Sequence, residues 1–319
     1  MTTTDGAVSG PDGQPFAAVV DWGTSTFRLW LLGRDGAVHA ERRSDQGMVR
    51  AGTEGFEAVL ESHLAAVGAP HNLPVVIAGM AGARQGWHEA SYVDVPARLH
   101  SLVERAVAVP GMARSVRILP GIAQRDADRP DVMRGEETQL LGLSAGGLPS
   151  GLACLPGTHS KWVRLEDACV TAFATFPTGE LFSLLAAHST LAGALGAPDE
   201  PMDAAAFADG VDAAFAEPER ITNRLFEIRA ASLLTDRAPA TRRARLSGLL
   251  VGIELAGARR FAAGAAHAHL VAAGPLADLY AAALPHAGFA VTQIDADEAV
   301  RRGLFAAAER LLFSQECGT

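Results

Sequence analysis

Two short stretches carry the residue types that hold phosphate. The first, Asp21-Trp22-Gly23-Thr24-Ser25-Thr26, lies between apolar runs at 17–20 and 27–32. A glycine such as Gly23 lets the backbone approach a phosphate closely, and the amides and hydroxyls of Thr24 and Ser25 can donate to its oxygens. Asp21, at the end of the first run, could hold Mg2+ through water, since that ion keeps several of its waters. The second stretch, Pro156-Gly157-Thr158-His159-Ser160-Lys161, repeats the arrangement between apolar runs at 152–155 and 162–165. Two such turns can grip one nucleotide phosphate chain from two sides, and positioning of this kind does most of the work in phosphoryl transfer. Lys161 adds a point charge, in a chain with 26 arginines and no other lysine. Ala272-Ala273-Gly274-Pro275 reads as strand, glycine and helix start, the form of a shelf for adenosine. Each feature also has a plain structural reading: an Asx turn in a hairpin, an exposed lysine, an ordinary α/β turn. Their combination points to ATP.

Other chemistries lack their residues. There is no GxxxxGK[ST] P-loop and no G-x-G dinucleotide fingerprint. There is also no HExxH among the ten histidines. Asp and Glu total 36 against 27 Lys and Arg, a net charge of −9, which repels a phosphodiester backbone and argues against nucleic acid as a partner. Three cysteines, Cys154, Cys169 and Cys317, without CxxC spacing suit a reducing compartment better than a disulfide framework or zinc site. No apolar run reaches the ~20 residues of a membrane helix. Residues 1–15, rich in Thr, Gly, Asp and Pro, read as a flexible tail rather than a signal peptide, so the cytoplasm is the expected location.

The elements that must position these turns are legible as an α/β pattern. Strands are expected at 17–20, 27–32 and 38–42, a meander with turns between. Phe56, Val59, Leu60 and Leu64 keep helical spacing. A short strand at 74–78 ends in Gly79-Met80-Ala81-Gly82. Helices are expected over 96–107 and 131–142, and a strand at 116–119. The second half reads as strand–turn–strand around 156–161, then helices over 180–191 and, with interruptions, 220–263. A strand at 269–273, a helix to 284, a strand at 291–294 and a closing helix from 297 follow. Pro110-Gly111 and Pro120-Gly121 punctuate the middle, suggesting a first domain at 16–118 and a second at 119–296, with the last helix, 297–316, returning to the first.

These motifs resemble the 2-dehydro-3-deoxygalactonokinase family, within the actin–hexokinase ATPase superfamily. The matching stretches are Asp21 to Ser25 with Arg28; Gly79-Met80-Ala81-Gly82 with Gln85-Gly86-Trp87; Met133-Arg134-Gly135-Glu136-Glu137-Thr138-Gln139; the second turn through Trp162; and Thr178-Gly179-Glu180-Leu181-Phe182 with His188-Ser189. They occur in the family's order and span most of the chain. The resemblance implies two ribonuclease-H-like domains around an ATP cleft, with phosphorylation of a 2-keto-3-deoxy sugar acid at its 6-hydroxyl. Similar carbohydrate kinases place a catalytic aspartate in a Gly-Asp-Gln stretch shortly before the second turn. Here Glu136 and Glu137 stand there, and adjacent helical residues cannot both face one point. Glu136 is the preferred base, and helix-dipole complementation is the alternative role for either. A guanidinium suits the substrate carboxylate. Arg28, Arg84 and Arg134 are candidates, Gln85 and Trp87 could line a sugar pocket, and Thr178 and Glu180 could contact hydroxyls.

Three rival readings use the same scaffold: a kinase for another aldonate or sugar, an actin-like nucleotide phosphohydrolase, and a filament subunit needing no sugar-directed base. A homodimer is the commonest assembly for a soluble chain of this kind.

Overall fold

The computed structural model describes residues 14–197 and 200–316. Residues 1–13 of the expected tail, and Cys317, lie outside the described residues. By its internal contacts the chain divides into two units. One holds the chain up to Ser150, Glu166–Ala172 and the chain from Ala296 onward, and the other holds Gly151–Leu165 and Phe173–Asp295.

The first unit begins with the expected meander, β1 (Ala17–Trp22), β2 (Phe27–Leu32) and β3 (Val38–Ser44). It continues through α1 (Met48–Glu54), α2 (Phe56–Ala66), β4 (Val75–Gly79), β5 (Val93–Asp94), β6 (Ala97–Arg98), α3 (Leu99–Glu104), β7 (Val107–Ala108), β8 (Val116–Ile118), β9 (Ile122–Arg125), β10 (Pro130–Met133) and α4 (Glu136–Ala145). Its main sheet has the order β3-β2-β1-β4-β8-β7. The first three strands are antiparallel, and β4 and β8 run parallel to β1. The side chains of Ala17, Ala18, Val19, Val20 and Trp22 are fully buried, because β1 is central and covered on both faces. Val59, Leu60 and Leu64 of α2 pack onto that sheet.

The second unit contains β11 (Gly151–Leu155), β12 (Ser160–Glu166) up to Leu165, the last four residues of β13 (Cys169–Phe176), α5 (Thr178–His188), α6 (Ala204–Ala216), α7 (Ile221–Leu234), α8 (Pro239–Phe261), β14 (His267–Ala272), α9 (Pro275–Ala283) and β15 (Ala290–Asp295). Its strands run β15-β14-β11-β12-β13. This is the order β3-β2-β1-β4-β8 of the first unit read from the other end, with the same antiparallel meander and the same parallel addition. Each unit thus has the ribonuclease-H-like topology. The final helix, α10 (Ala296–Glu316), belongs to the first unit.

Several elements differ from their expected form. Only Leu99–Glu104 of the 96–107 stretch is helical, because Ala97 and Arg98 enter a ladder with Val170 and Cys169 and Val107 pairs with Ile118. Likewise Pro130–Met133 pair with β9, so α4 starts at Glu136 rather than 131. Strand β13 and helix α6 were not expected; the apolar Val170 and Phe173, and the helical spacing of Phe207 and Val211, were their signals. The domain division falls at 150/151 rather than 118/119, since α4 packs on α10. A Cβ at Gly142 would overlap the Ala299 carbonyl and one at Gly303 the Thr138 carbonyl, so only glycines allow the two helices this approach.

Candidate active site

In the first unit the β1–β2 connection is a tight turn in which the Gly23 amide donates to the Thr26 carbonyl at 2.8 Å. The head of α1 closes on it. The Met48 and Val49 amides donate to the Gly23 and Thr24 carbonyls, and a Cβ at Gly47 would lie 2.5 Å from the Ser25 backbone. Thr24 and Ser25 are exposed on this braced turn. Asp21 leaves β1 with its Oδ2 accepting from both Nε and Nη2 of Arg28. Its Oδ1 accepts no protein hydrogen bond among the described residues, which suits an outer contact to a hydrated cation.

Arg28 is also paired with Asp297 of α10, and Arg43 donates to the other oxygen of that carboxylate at 2.7 Å. Burial pushes the Asp297 carboxyl up, but the hydrogen bond from Arg43 and the charges of both arginines outweigh it and hold the pKa below the ordinary aspartate value. Arg28 is therefore engaged by two carboxylates, which corrects the expectation that it reaches out for a substrate carboxylate. Arg134 is turned inward as well. Its guanidinium lies 4.5 Å from the Tyr92 ring centroid and donates from Nη2 to the Ala90 carbonyl at 2.8 Å, while Nε and Nη1 are buried without a protein partner among the described residues. Arg84 and Gln85 are exposed on the loop after β4, and Arg84 forms no ion pair among the described residues. Trp87 is half-buried, stacked parallel to Phe56 with ring centroids 6.0 Å apart.

The paired glutamates open α4. Gly135 precedes them with φ 107°, a conformation that excludes an ordinary side chain. The two carboxyls then separate in environment. Glu137 is 1% exposed and accepts from the Gly135 amide at 2.7 Å. Burial, reinforced by the neighbouring Glu136 charge, pushes its pKa from 4.5 up to about 8. It is protonated at neutral pH and cannot accept a proton there. Glu136 is only partly buried, and its Oε2 accepts from the Arg134 amide at 3.2 Å. A Cβ on Gly135 would sit 3.8 Å from the Gly79 Cα, so the acids stand beside the start of the Arg84 loop.

In the second unit, β11 and β12 pair from Gly151↔Leu165 to Leu155↔Lys161 and leave 156–160 as the turn. Thr158 and His159 are exposed at its tip. The first turn of α5 abuts it: the Glu180 amide donates to the Thr158 carbonyl, and a Cβ on Gly179 would lie 2.6 Å from the Gly157 carbonyl. His159 and Glu180, picked out separately in the sequence, face each other at 3.0 Å. Ser160 and Lys161 differ from expectation. Ser160 is fully buried with its hydroxyl 3.0 Å from that of Tyr280, and Lys161 is 6% exposed with Nζ donating to the His159 carbonyl at 3.0 Å. Both are buried because β12 is covered on both faces from Ser160 to Val163. Gly274, at φ 58°, heads α9 and is exposed.

Sequence reasoning missed Glu254 of α8. It is 1% exposed and accepts from Trp162 Nε1 at 2.9 Å, from the Tyr280 hydroxyl at 2.7 Å and from the Thr178 hydroxyl. Thr178, expected at a sugar hydroxyl, is buried and turned to this carboxylate instead. Burial raises the Glu254 pKa, and the four surrounding donors only partly offset that. The signal was present: one charge inside Leu249-Leu250-Val251-Gly252-Ile253-Glu254-Leu255-Ala256. An apolar cavity of about 570 Å3 opens beside Thr178 and Glu254, walled by Phe176, Leu181, Leu250 and Ile253.

Among the described residues no helix is long and apolar enough to cross a membrane. The family described as 2-keto-3-deoxy-galactonokinase matches residues 21–307. The chain is 53% identical over 298 residues to the Rhizobium meliloti (strain 1021) protein named probable 2-dehydro-3-deoxygalactonokinase DgoK1, covering 93% of this chain and 97% of that one. It is 37% identical over 288 residues to the 2-dehydro-3-deoxygalactonokinase of Escherichia coli (strain K12), covering 89% and 94%. A crystal structure from Sinorhizobium meliloti, described as a candidate 2-dehydro-3-deoxygalactonokinase protein, matches with a TM-score of 0.90 at 53% identity over 93% of this chain and 99% of that one. With both hydroxyl-rich turns and the α4 carboxylates inside the matched span, the chain belongs to the 2-keto-3-deoxy-galactonokinase family.

Proposed function

We propose that this protein transfers the γ-phosphoryl group of ATP to the 6-hydroxyl of 2-dehydro-3-deoxy-D-galactonate, in the cytoplasm, during galactonate breakdown. The names of its relatives support the substrate, and the partly exposed Glu136 beside the buried, protonated Glu137 supports the chemistry. Glu136 takes the proton of the attacking hydroxyl. The new bond forms between that oxygen and the γ-phosphorus as the bond to the β-phosphate oxygen breaks and ADP leaves. The turns at 23–25 and 157–159 hold the phosphates by backbone amides and by the hydroxyls of Thr24, Ser25 and Thr158. Asp21, through its Oδ1, would hold hydrated Mg2+, which would supply positive charge to the phosphates. The adenosine rests against Gly274.

The substrate carboxylate goes to Arg84. Arg28 is engaged by two carboxylates and the Arg134 guanidinium is turned inward onto Tyr92 and the Ala90 carbonyl, whereas Arg84 is exposed on the loop next to α4. Gln85 and Trp87 on the same loop supply an amide and a ring edge to the sugar chain.

The test is ADP release with MgATP and four acceptor conditions: 2-dehydro-3-deoxygalactonate, its gluconate epimer, a neutral hexose and none. Turnover with the galactonate-derived acid above the other three supports the reading. Equal release without acceptor would show a phosphohydrolase, and a preference for another acceptor would overturn the substrate.

A further inference from the structure

The second turn is held from below by a buried polar node that no sequence motif announces. Glu254 lies at its centre, on α8. One carboxylate oxygen accepts from Trp162, two residues beyond the turn on β12. The other accepts from Thr178, at the first turn of α5, and from Tyr280 on α9. Tyr280 in turn meets Ser160, the last residue of the turn, at 3.0 Å, and the Gly157 amide donates to the same Ser160 hydroxyl at 3.5 Å. One side chain therefore ties three elements together: the strand leaving the turn, the helix end abutting it, and α9 behind Gly274.

The node is costly to build without a purpose in positioning. A carboxylate 1% exposed loses its hydration, and aliphatic side chains of similar size would fill the site without that cost. What an apolar core would lack is direction. Hydrogen bonds fix the angles and spacing of the parts they join, whereas apolar contacts let them slide. The exposed tip, Thr158 and His159, is set by Ser160 and Lys161 beneath it and by the α5 turn beside it, and Ser160 and the α5 turn lead back to Glu254.

We propose that Glu254 is a positioning residue for nucleotide binding: through Tyr280–Ser160, Trp162 and Thr178 it holds the turn at 156–160 in the form that receives the phosphate chain. The inference rests on the reading of that turn as a phosphate site. Glu254 and Thr178 also face the cavity of about 570 Å3, so changing either alters that wall as well. Tyr280 does not line the cavity, and Tyr280→Phe therefore isolates the link to the turn while keeping the ring in the core.

The experiment measures the KM for ATP, the KM for the sugar acid, kcat and Tm in Tyr280→Phe, Glu254→Gln, Glu254→Leu and Thr158→Ala. Tyr280→Phe should raise the KM for ATP about three- to tenfold, the effect of a lost or slackened hydrogen bond. The KM for the sugar acid should stay within about twofold, as the altered group serves only one substrate. Glu254→Leu should exceed that rise, and Glu254→Gln, which keeps the shape and can still hydrogen-bond its neighbours, should recover part of it. If Glu254→Leu does not fold, Tyr280→Phe and Glu254→Gln still carry the test. A lowered Tm with a wild-type KM for ATP in both of those variants would overturn the proposal, leaving Glu254 a purely structural residue. If Thr158→Ala also keeps a wild-type KM for ATP, the phosphate reading of the turn fails with it.

Discussion

Replacing Glu137 by Gln should leave the protein more stable than wild type at neutral and alkaline pH. The Glu137 carboxyl is held at about pH 8 in the fold against 4.5 when solvated, so the folded protein binds this proton more tightly than the unfolded chain does. Its favourable contribution is complete below about pH 4.5, declines as pH rises, and is gone above about pH 8. At about 1.4 kcal/mol for each pH unit, the interval is worth about 5 kcal/mol at most, with about 3 kcal/mol lost by pH 7. Glutamine carries no proton to lose, fills nearly the same volume, and can still accept from the Gly135 amide. In thermal scans at pH 5, 6, 7 and 8, the variant's Tm should therefore gain on wild type at each step. By pH 8 the gap should be roughly 10 °C or more for a unit of this size. Activity near pH 7 should be largely retained, because the side chain is already uncharged there. Parallel Tm curves from pH 5 to 8 would refute the reasoning and mean that Glu137 ionises like a solvated carboxylate.

Other expectations follow from neighbouring geometry. Glu136→Gln should lower kcat by about 10²–10⁴-fold with small changes in either KM, the range for loss of a general base. Arg84→Ala should raise the KM for the sugar acid about tenfold or more while leaving the KM for ATP near wild type, as expected when a charged hydrogen-bond partner is removed. Gly142→Ala should lower Tm, with a cost of about 1–3 kcal/mol or more, because the new methyl meets the Ala299 backbone carbonyl and α4 must part from α10. Asp297→Asn should destabilise the protein at neutral pH and matter less in strong acid. The Asp297 carboxyl is held below its ordinary pKa, so its contribution is present above that value and lost as pH falls through the folded one.

The residues proposed for this chemistry were legible in one dimension, and so were most of the elements carrying them. Turns at 23–26 and 156–159 announce themselves because glycine and hydroxyl residues interrupt apolar runs, and such interruptions are local. Helix α2 and the strands at 17–22 and 27–32 are equally local, since burial of one face or of a whole strand writes its period into the chain. The tertiary structure decided what each polar side chain faces. It turned Ser160 and Lys161 under the turn, engaged Arg28 with Asp21 and with Asp297 from the far end of the chain, and buried Glu137 while leaving its neighbour Glu136 partly exposed. It also gathered Trp162, Thr178 and Tyr280 around Glu254. Trp162 and Thr178 lie more than seventy residues from Glu254, and such separations leave no period in a sequence. The free energy of a buried carboxyl depends on the donors and solvent around it, and those exist only once the chain has folded.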